Sequence, residues 1–328
     1  MKTSKKVTIV IPNYNGLKFM EPCFKALDLQ IHRSFEVLVV DNGSTDGSVE
    51  WLKDHGIPSL FLERNTGFSG AVNRGIQAAK TPYVILLNND TEPDCHYVGE
   101  MIKAIERSPL IFSVSSKMIQ LYHKDKMDDA GDMYSLLGWA YQRGVGRPSS
   151  GYNRPCRIFS ACGGASIYRR SVFEEIGYFD EMHFAYLEDI DVGYRARIAG
   201  YDNIYCPTAV VYHVGSGTSG SKYNAFKVRL AARNSVYLNY KNMPALQLAV
   251  NFLPILAGTG LKFLFFQKKG FGREYMEGLK EGIATVGTCR KVPYDSNHLK
   301  NYLAIEWELF TGTLLYAYEF AVRQITKL

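Results

Sequence analysis

Val84-Ile85-Leu86-Leu87-Asn88-Asn89-Asp90-Thr91 decides how this chain folds. Four aliphatic residues without polar alternation, closed by turn formers and Thr91-Glu92-Pro93, read as a strand buried on both faces in an α/β sheet. Such sheets bind ligands beyond the carboxyl ends of their strands, so this strand delivers Asp90 into a crevice. A carboxylate there, beside amide side chains, is suited to a divalent cation that bridges a diphosphate. The competing reading is a strand that simply ends in an Asn/Asp turn.

Outward from this strand the pattern repeats. Val7 to Ile11 reads as a strand ending in Pro12-Asn13-Tyr14-Asn15-Gly16, followed by a helix from Lys18 to Gln30 with Phe19, Cys23, Ala26 and Leu27 on one face. Phe35 to Val40 is a strand ending in Asp41-Asn42-Gly43-Ser44, with a helix from Ser48 to His55. Ser59 to Glu63 is a third strand, then Arg64 to Gly70 and a helix from Ala71 to Ala79. Strands alternating with helices predict a mostly parallel sheet with flanking helices, its polar and glycine-rich strand ends gathered along one edge. A helix follows near Tyr97 to Glu106. The periodicity then weakens from Phe112 to Arg157, and Asp128 to Gly151 reads as a mobile loop or a small acceptor-facing hairpin.

At 328 residues, 46% hydrophobic and 21% charged, the chain has material for a large core and is not disordered. The net charge of +6 is uneven: Gly220 to Leu328 holds 15 basic against 7 acidic residues, which suggests a body joined to a basic, surface-seeking extension. The six cysteines form no CxxC pair and no zinc-spaced cluster, so free thiols in a reducing cytoplasm are expected. Met1 to Lys6 is polar and leads straight into a strand, which predicts no signal peptide.

A second block, Ala161-Cys162-Gly163-Gly164, then Phe179-Asp180-Glu181 and Tyr186-Leu187-Glu188-Asp189-Ile190-Asp191, opens a helix that stops at Gly200. Acids in a first helical turn often only complement the helix dipole. Asp191 with Arg195, four residues apart, reads as a structural ion pair, leaving Asp189 as the candidate for chemistry.

Taken in order, Val10 to Asn15, Val39 to Asp46, Asn65 to Phe68, Leu87 to Asp90 and Glu188 to Asp191 resemble the inverting glycosyltransferases of family 2, over about residues 5 to 240. Phe68 to Gly75 and Leu86 to Thr91 look most like the rhamnosyltransferase-type branch. The resemblance implies a GT-A, Rossmann-like catalytic domain over 1–240 and a helical, basic and amphipathic extension over 241–328. It implies that Pro12, Asn13, Tyr14 and Asn15 border the donor base, that Asp41 accepts from a uracil or thymine imide, and that Asn42, Ser44, Asn65, Gly67, Gly70 and Asn73 shape the nucleotide pocket. Asp90 stands at the last position of the family's DXD metal motif. Asn88 stands where its first Asp is expected, so Asn88 and Asn89 are better read as nucleotide contacts, and more of the grip on Mg²⁺ or Mn²⁺ falls to the diphosphate. For His213 a metal-ligand and a structural reading stand side by side. Gly215 to Gly220 would close over the diphosphate, with Lys222 adding charge.

The expected reaction moves a sugar from a nucleoside-diphosphate sugar, dTDP-rhamnose before a UDP-hexose, to a hydroxyl of a glycan or lipid-linked acceptor in cell-surface polysaccharide assembly. Asp189 is the expected general base, Glu188 orients a sugar, and the Gly163-Gly164 amides line the acceptor side. A nucleotidyltransferase and a catalytically inactive sugar-nucleotide-binding protein are the alternatives, the latter disfavoured by Asp90 and Asp189. The first βα turn lacks GxGxxG, which argues against a nicotinamide dehydrogenase, and no nucleic-acid partner is expected.

Ala245 to Leu261 is uncharged over 17 residues, interrupted by Pro254 and followed by Lys262, Lys268, Lys269 and Arg273. It reads as a helix lying on the cytoplasmic face of the plasma membrane, with a buried core or dimer helix as the second reading and a single membrane span as the third. Leu303 to Val322, aromatic and carrying Glu306, Glu308 and Glu319, reads as an amphipathic helix. A homodimer stays open.

Overall fold

The computed structural model describes residues 5–215 and 223–325. Strand β1 (Val7–Asn13) leads through α1 (Leu17–Asp28) to β2 (Phe35–Asp41), α2 (Ser48–Asp54), β3 (Ser59–Phe61), α3 (Gly67–Ala78) and β4 (Tyr83–Leu87). These four strands are parallel in the order β4-β1-β2-β3. Val84, Ile85, Leu86 and Leu87 are all fully buried. The reason is visible in the packing: Ile85 and Leu87 join a cluster with Val7, Ile9, Met20 and Tyr97, while Val84 and Leu86 join another with Val10, Val72 and Ile76. Both faces of the strand are covered, so no position can be polar.

Beyond β4 the sheet becomes mixed. After β5 (Thr91–Pro93) and α4 (Tyr97–Ile105) come β6 (Ile111–Gln120), β7 (His123–Asp129), β8 (Asp132–Tyr134), β9 (Ala140–Gln142) and β10 (Cys156–Ile158). Then follow β11 (Ala165–Arg169), α5 (Arg170–Ile176), α6 (Glu188–Ile198) and β12 (Asp202–His213). The antiparallel β11 lies between β4 and β6, and β12 continues beside β6. The expected α/β sheet with flanking helices is present, and its parallel character is confined to β1 to β4 and the β6–β12 pair. Because β11 runs opposite to β4, its start and the end of β4 share one edge: Ala165 pairs with Leu87, and Asn88 N donates to Gly164 O at 2.8 Å.

The segment Asp128 to Gly151 contains a hairpin, β8 to β9, in a two-stranded sheet of its own. Four α-helices follow among the described residues: α7 (Ala225–Asn242), α8 (Ala245–Lys268), α9 (Gly272–Thr285) and α10 (Leu299–Ile325). They pack on the body. Ile305 and Leu309 share a buried cluster with Phe159, Ile190 and Tyr194, and Arg197 forms an ion pair with Glu308. Helix α8 is long and apolar enough to cross a membrane, but only 11% of its apolar window is buried. The buried-core reading of this segment is thereby overturned: only a narrow stripe, including Gln247, Asn251 and Gly258, meets protein.

Candidate active site

A cleft of about 1000 Å³ opens along the sheet edge where β1 and β4 end. Sheet register builds its first wall. Thr91 of β5 pairs with His213 of β12, which puts His213 Nε2 3.3 Å from Asp90 Oδ1. Strand β12 also pairs with β6, His213 opposite Gln120, and β6 carries β7, so Asp128 reaches His213 Nδ1 at 2.6 Å. Burial works against charge on this imidazole, but its bonds to Asp128 and Asp90 outweigh that and lift its pKa to about 10.

Asp90 and His213 would suit a divalent cation that displaces the Nε2 proton of the imidazole. A carboxylate oxygen and an imidazole nitrogen converge, and the far ring nitrogen is held by a carboxylate, the arrangement that orients metal-binding histidines. Among the described residues no third acid, cysteine or histidine joins them. Positions are therefore left for diphosphate oxygens.

The second wall is a chain of amides at the ends of β1, β2 and β4. Asn89 Nδ2 donates to Asn13 Oδ1 at 2.6 Å, and Asn13 Nδ2 donates to Asp41 Oδ2 at 2.7 Å and to Ser44 Oγ at 3.1 Å. Pro12, Asn13, Tyr14, Asn42, Asn65, Gly67, Asn88 and Asn89 line the cleft. Asp41 does not: it is 1% exposed, accepts from Ser44 N as well as from Asn13, and so stands behind Asn13 and fixes it. Asn15 and Ser44 brace the same turn, through Asn15 N donating to Ser44 Oγ and Thr45 N donating to Asn15 Oδ1. Asn73 is also displaced from the expected pocket, its amide donating to Phe179 O and accepting from Phe179 N. Gly70 serves packing, since a Cβ there would strike Thr66.

The third wall carries the acids. Asp189, in the first turn of α6, accepts from Ile190 N at 2.8 Å and from Gly163 N at 3.5 Å, and Gly164 lines the same cleft. Asp132, at the start of β8, hydrogen-bonds to Asp189. Burial raises Asp189, against the N–H donors that favour its charge; it raises Asp132 well above the carboxylate range, helped by Asp129 and Asp189. Glu188 is buried with Oε2 unpartnered, and burial, then the Asp189 charge, pushes it well up too. Asp191 is not part of this wall. It accepts from Arg195 at 2.8 Å and Lys241 at 2.9 Å, which drive its pKa down despite burial, in keeping with a structural role.

The loop that presents Glu188 and Asp189 is strained, with Phe184, Tyr186 and Leu187 all at positive φ. Such residues cost about 1–3 kcal/mol each, so the loop needs an external hold. Helix α7 supplies it. Asn234 Nδ2 donates to the carbonyls of His183, Ala185 and Tyr186, and Arg233 Nη2 to those of Met182 and His183. Sequence reasoning missed Asp128, Asp132 and Asn234. The first two fell in the segment without periodicity; Asn234 is an unremarkable polar position in a helix. The closing loop expected at Gly215 to Gly220, and Lys222, lie outside the described residues except for Gly215.

A family profile described as "Glycosyl transferase family 2" matches residues 8–177. The N-acetylglucosaminyl-diphospho-decaprenol L-rhamnosyltransferase of Mycobacterium tuberculosis is 29% identical over 65% of this chain and 77% of its own length. Across the first two curated relatives matched, the chain spans 26% and 77% of their lengths. Among solved structures, GalNAc-T7 with UDP, GalNAc and Mn²⁺ superposes with a TM-score of 0.60 at 16% identity, over 74% of this chain and 48% of that one. Staphylococcus aureus TarS 1–349 with UDP-GlcNAc gives 0.58 at 18% identity, over 86% and 81%. These likenesses show the fold.

Proposed function

The chain belongs to glycosyl transferase family 2, and on that premise we propose that it transfers a sugar, with inversion, from a nucleoside-diphosphate sugar to a hydroxyl of a glycan or lipid-linked acceptor. The observation that carries this reading is that one cleft holds the Asp90–His213 pair on one wall and the Asp189 carboxylate, flanked by Gly163, on another.

The residues divide the work. Asn13, Asn65, Asn88 and Asn89 border the nucleotide, with Asp41 holding Asn13 in place. Asp90 and His213 would hold a divalent cation, which supplies charge neutralisation for the leaving diphosphate. Asp189 takes the proton from the acceptor hydroxyl as the oxygen attacks the anomeric carbon from the face opposite the leaving group, in a transition state of oxocarbenium character. Asp132, protonated, donates to Asp189 and keeps one oxygen oriented while the other receives the proton. Glu188, also kept neutral by burial, can donate to a sugar hydroxyl.

A rhamnosyl donor on dTDP is the first choice, supported by the mycobacterial relative, and a UDP-hexose the second. The exposed apolar faces of α8 and α10 support attachment to the inner membrane surface, where a lipid-linked acceptor for polysaccharide assembly would be met. The test is incubation with dTDP-rhamnose and UDP-sugars, with Mg²⁺ or Mn²⁺, in the presence of acceptor glycosides. Nucleoside diphosphate release coupled to a product of inverted anomeric configuration is expected; a retained configuration, or no turnover with any sugar nucleotide, would overturn the proposal.

A further inference from the structure

Helix α8 turns one stripe into the far end of the cleft: Ile255, Thr259, Lys262 and Phe266. Lys262 is the only charged side chain of that stripe. Its Nζ lies 5.7 Å from the centre of the Trp139 ring, and among the described residues no carboxylate comes within ion-pair distance of it. The side chain is half-buried by surface area, yet lost hydration of its ammonium lowers its pKa to about 8. An ammonium held among apolar groups without a counter-charge is unfavourable unless an anion arrives to pair with it.

The place of Lys262 separates it from the donor wall. Trp139 sits at the tip of the β8–β9 hairpin, tied to α8 by Trp139 Nε1 donating to Gly258 O at 3.1 Å. The base of that hairpin is Asp132, bonded to Asp189. Three strand residues span about 10 Å, so the hairpin tip stands roughly that far from Asp132, and Lys262 lies against the Trp139 ring at that tip.

Away from this point α8 and α10 expose large apolar side chains. Leu253, Leu256 and Leu264 of α8 are more than half exposed, as are Leu303, Trp307 and Leu314 of α10, which recur along one face of that helix. The two helices are held side by side by Glu306, which accepts from Gln247 and Asn251 at 2.9 Å each. A half-buried cation beside a broad apolar face matches a ligand with an anionic head and a long apolar tail.

We propose that Lys262 binds the phosphate of an acceptor carried on an apolar lipid chain, and that the exposed faces of α8 and α10 receive that chain. The inference rests on the glycosyltransfer reading and names its acceptor class. A phosphate on Lys262 fixes the acceptor sugar between Asp132 and the hairpin tip, with its hydroxyl toward Asp189, so that selection of a lipid-phosphate acceptor and its orientation are one event.

Calorimetric titration of the whole chain with farnesyl diphosphate below its micelle-forming concentration, inorganic pyrophosphate and farnesol tests this. Farnesyl diphosphate should bind at least tenfold more tightly than either of the others. Lys262→Gln should weaken it at least tenfold and Lys262→Arg less than threefold, while binding of UDP and dTDP stays within twofold. Pyrophosphate binding as tightly as farnesyl diphosphate would reduce the site to a free-anion site and overturn the proposal. So would a Lys262→Gln protein that binds farnesyl diphosphate normally, or one that loses nucleotide binding instead. Failure of the unmodified protein to bind either nucleotide strikes the glycosyltransfer reading itself; failure of the farnesyl arm with nucleotide binding intact strikes only this inference.

Discussion

The carboxyl of the buried Asp132 hydrogen-bonds to that of the half-buried Asp189, so two acids beside Gly163 share a proton. Asp132 is held neutral by burial and by the charges of Asp129 and Asp189, and its O–H favours the ionised form of Asp189. Asp189 must be ionised to act as base, so kcat/KM should rise with pH along a limb lying above the ordinary aspartate value of about 3.9. Asp132→Ala removes the donor and should move that limb to higher pH; Asp132→Asn, which still donates, should leave it near its original place. Superimposable profiles for the Ala variant and the parent would remove Asp132 from the account.

Asn234 should matter more for turnover than for nucleotide affinity. It anchors three carbonyls of the strained loop that carries Glu188 and Asp189. Asn234→Ala should lower kcat at least tenfold, lower stability by about 1–3 kcal/mol for the lost buried hydrogen bonds, and leave the nucleotide dissociation constant within threefold. Steady-state kinetics, calorimetry and a melting curve on one preparation separate these effects.

The cation reading gives graded outcomes. Asp90→Ala should abolish the Mn²⁺-dependent part of UDP or dTDP binding. Asp128→Asn, which touches His213 only at Nδ1, should weaken Mn²⁺ by roughly tenfold without removing it, as loss of an outer-shell partner does. Titration with and without chelator reads both.

Asp129 offers a stability test. It is fully buried, Oδ2 lacks a partner, and burial, then the Asp128 charge, raises its pKa to about 8. A carboxyl whose folded pKa exceeds the unfolded value of about 3.9 costs stability increasingly as pH rises from about 4 to about 8, with the full penalty above that. Asp129→Asn keeps an acceptor for Gly131 N and should raise Tm over the parent, by a margin that grows between pH 6 and pH 8 and then levels off.

Much of this was legible in the chain. Val84 to Leu87 and Val7 to Ile11 are apolar because both sheet faces are covered, and that signal is local. Asp90 and Asp189 sit at element boundaries, where turn formers and a helix start announce them. The rest depends on register. Asp128 meets His213 only because β5, β12, β6 and β7 lie in that order, and Asp132 meets Asp189 only because the turn after β7 returns past Ser160. No spacing in the sequence encodes either pairing. Asp41 and Asn73 illustrate the converse: both lie in motif segments, yet their side chains face inward to hold Asn13 and Phe179.

The central claim is that Asp189 is the base of a transferase whose donor binds elsewhere in the same cleft. Asp189→Asn, assayed for sugar transfer and for calorimetric donor binding in parallel, tests it most directly. The account predicts transfer reduced at least a thousandfold, the upper part of the range for loss of a general base, with donor affinity within threefold of the parent. Transfer within tenfold of the parent, or donor affinity lost together with transfer, would contradict it.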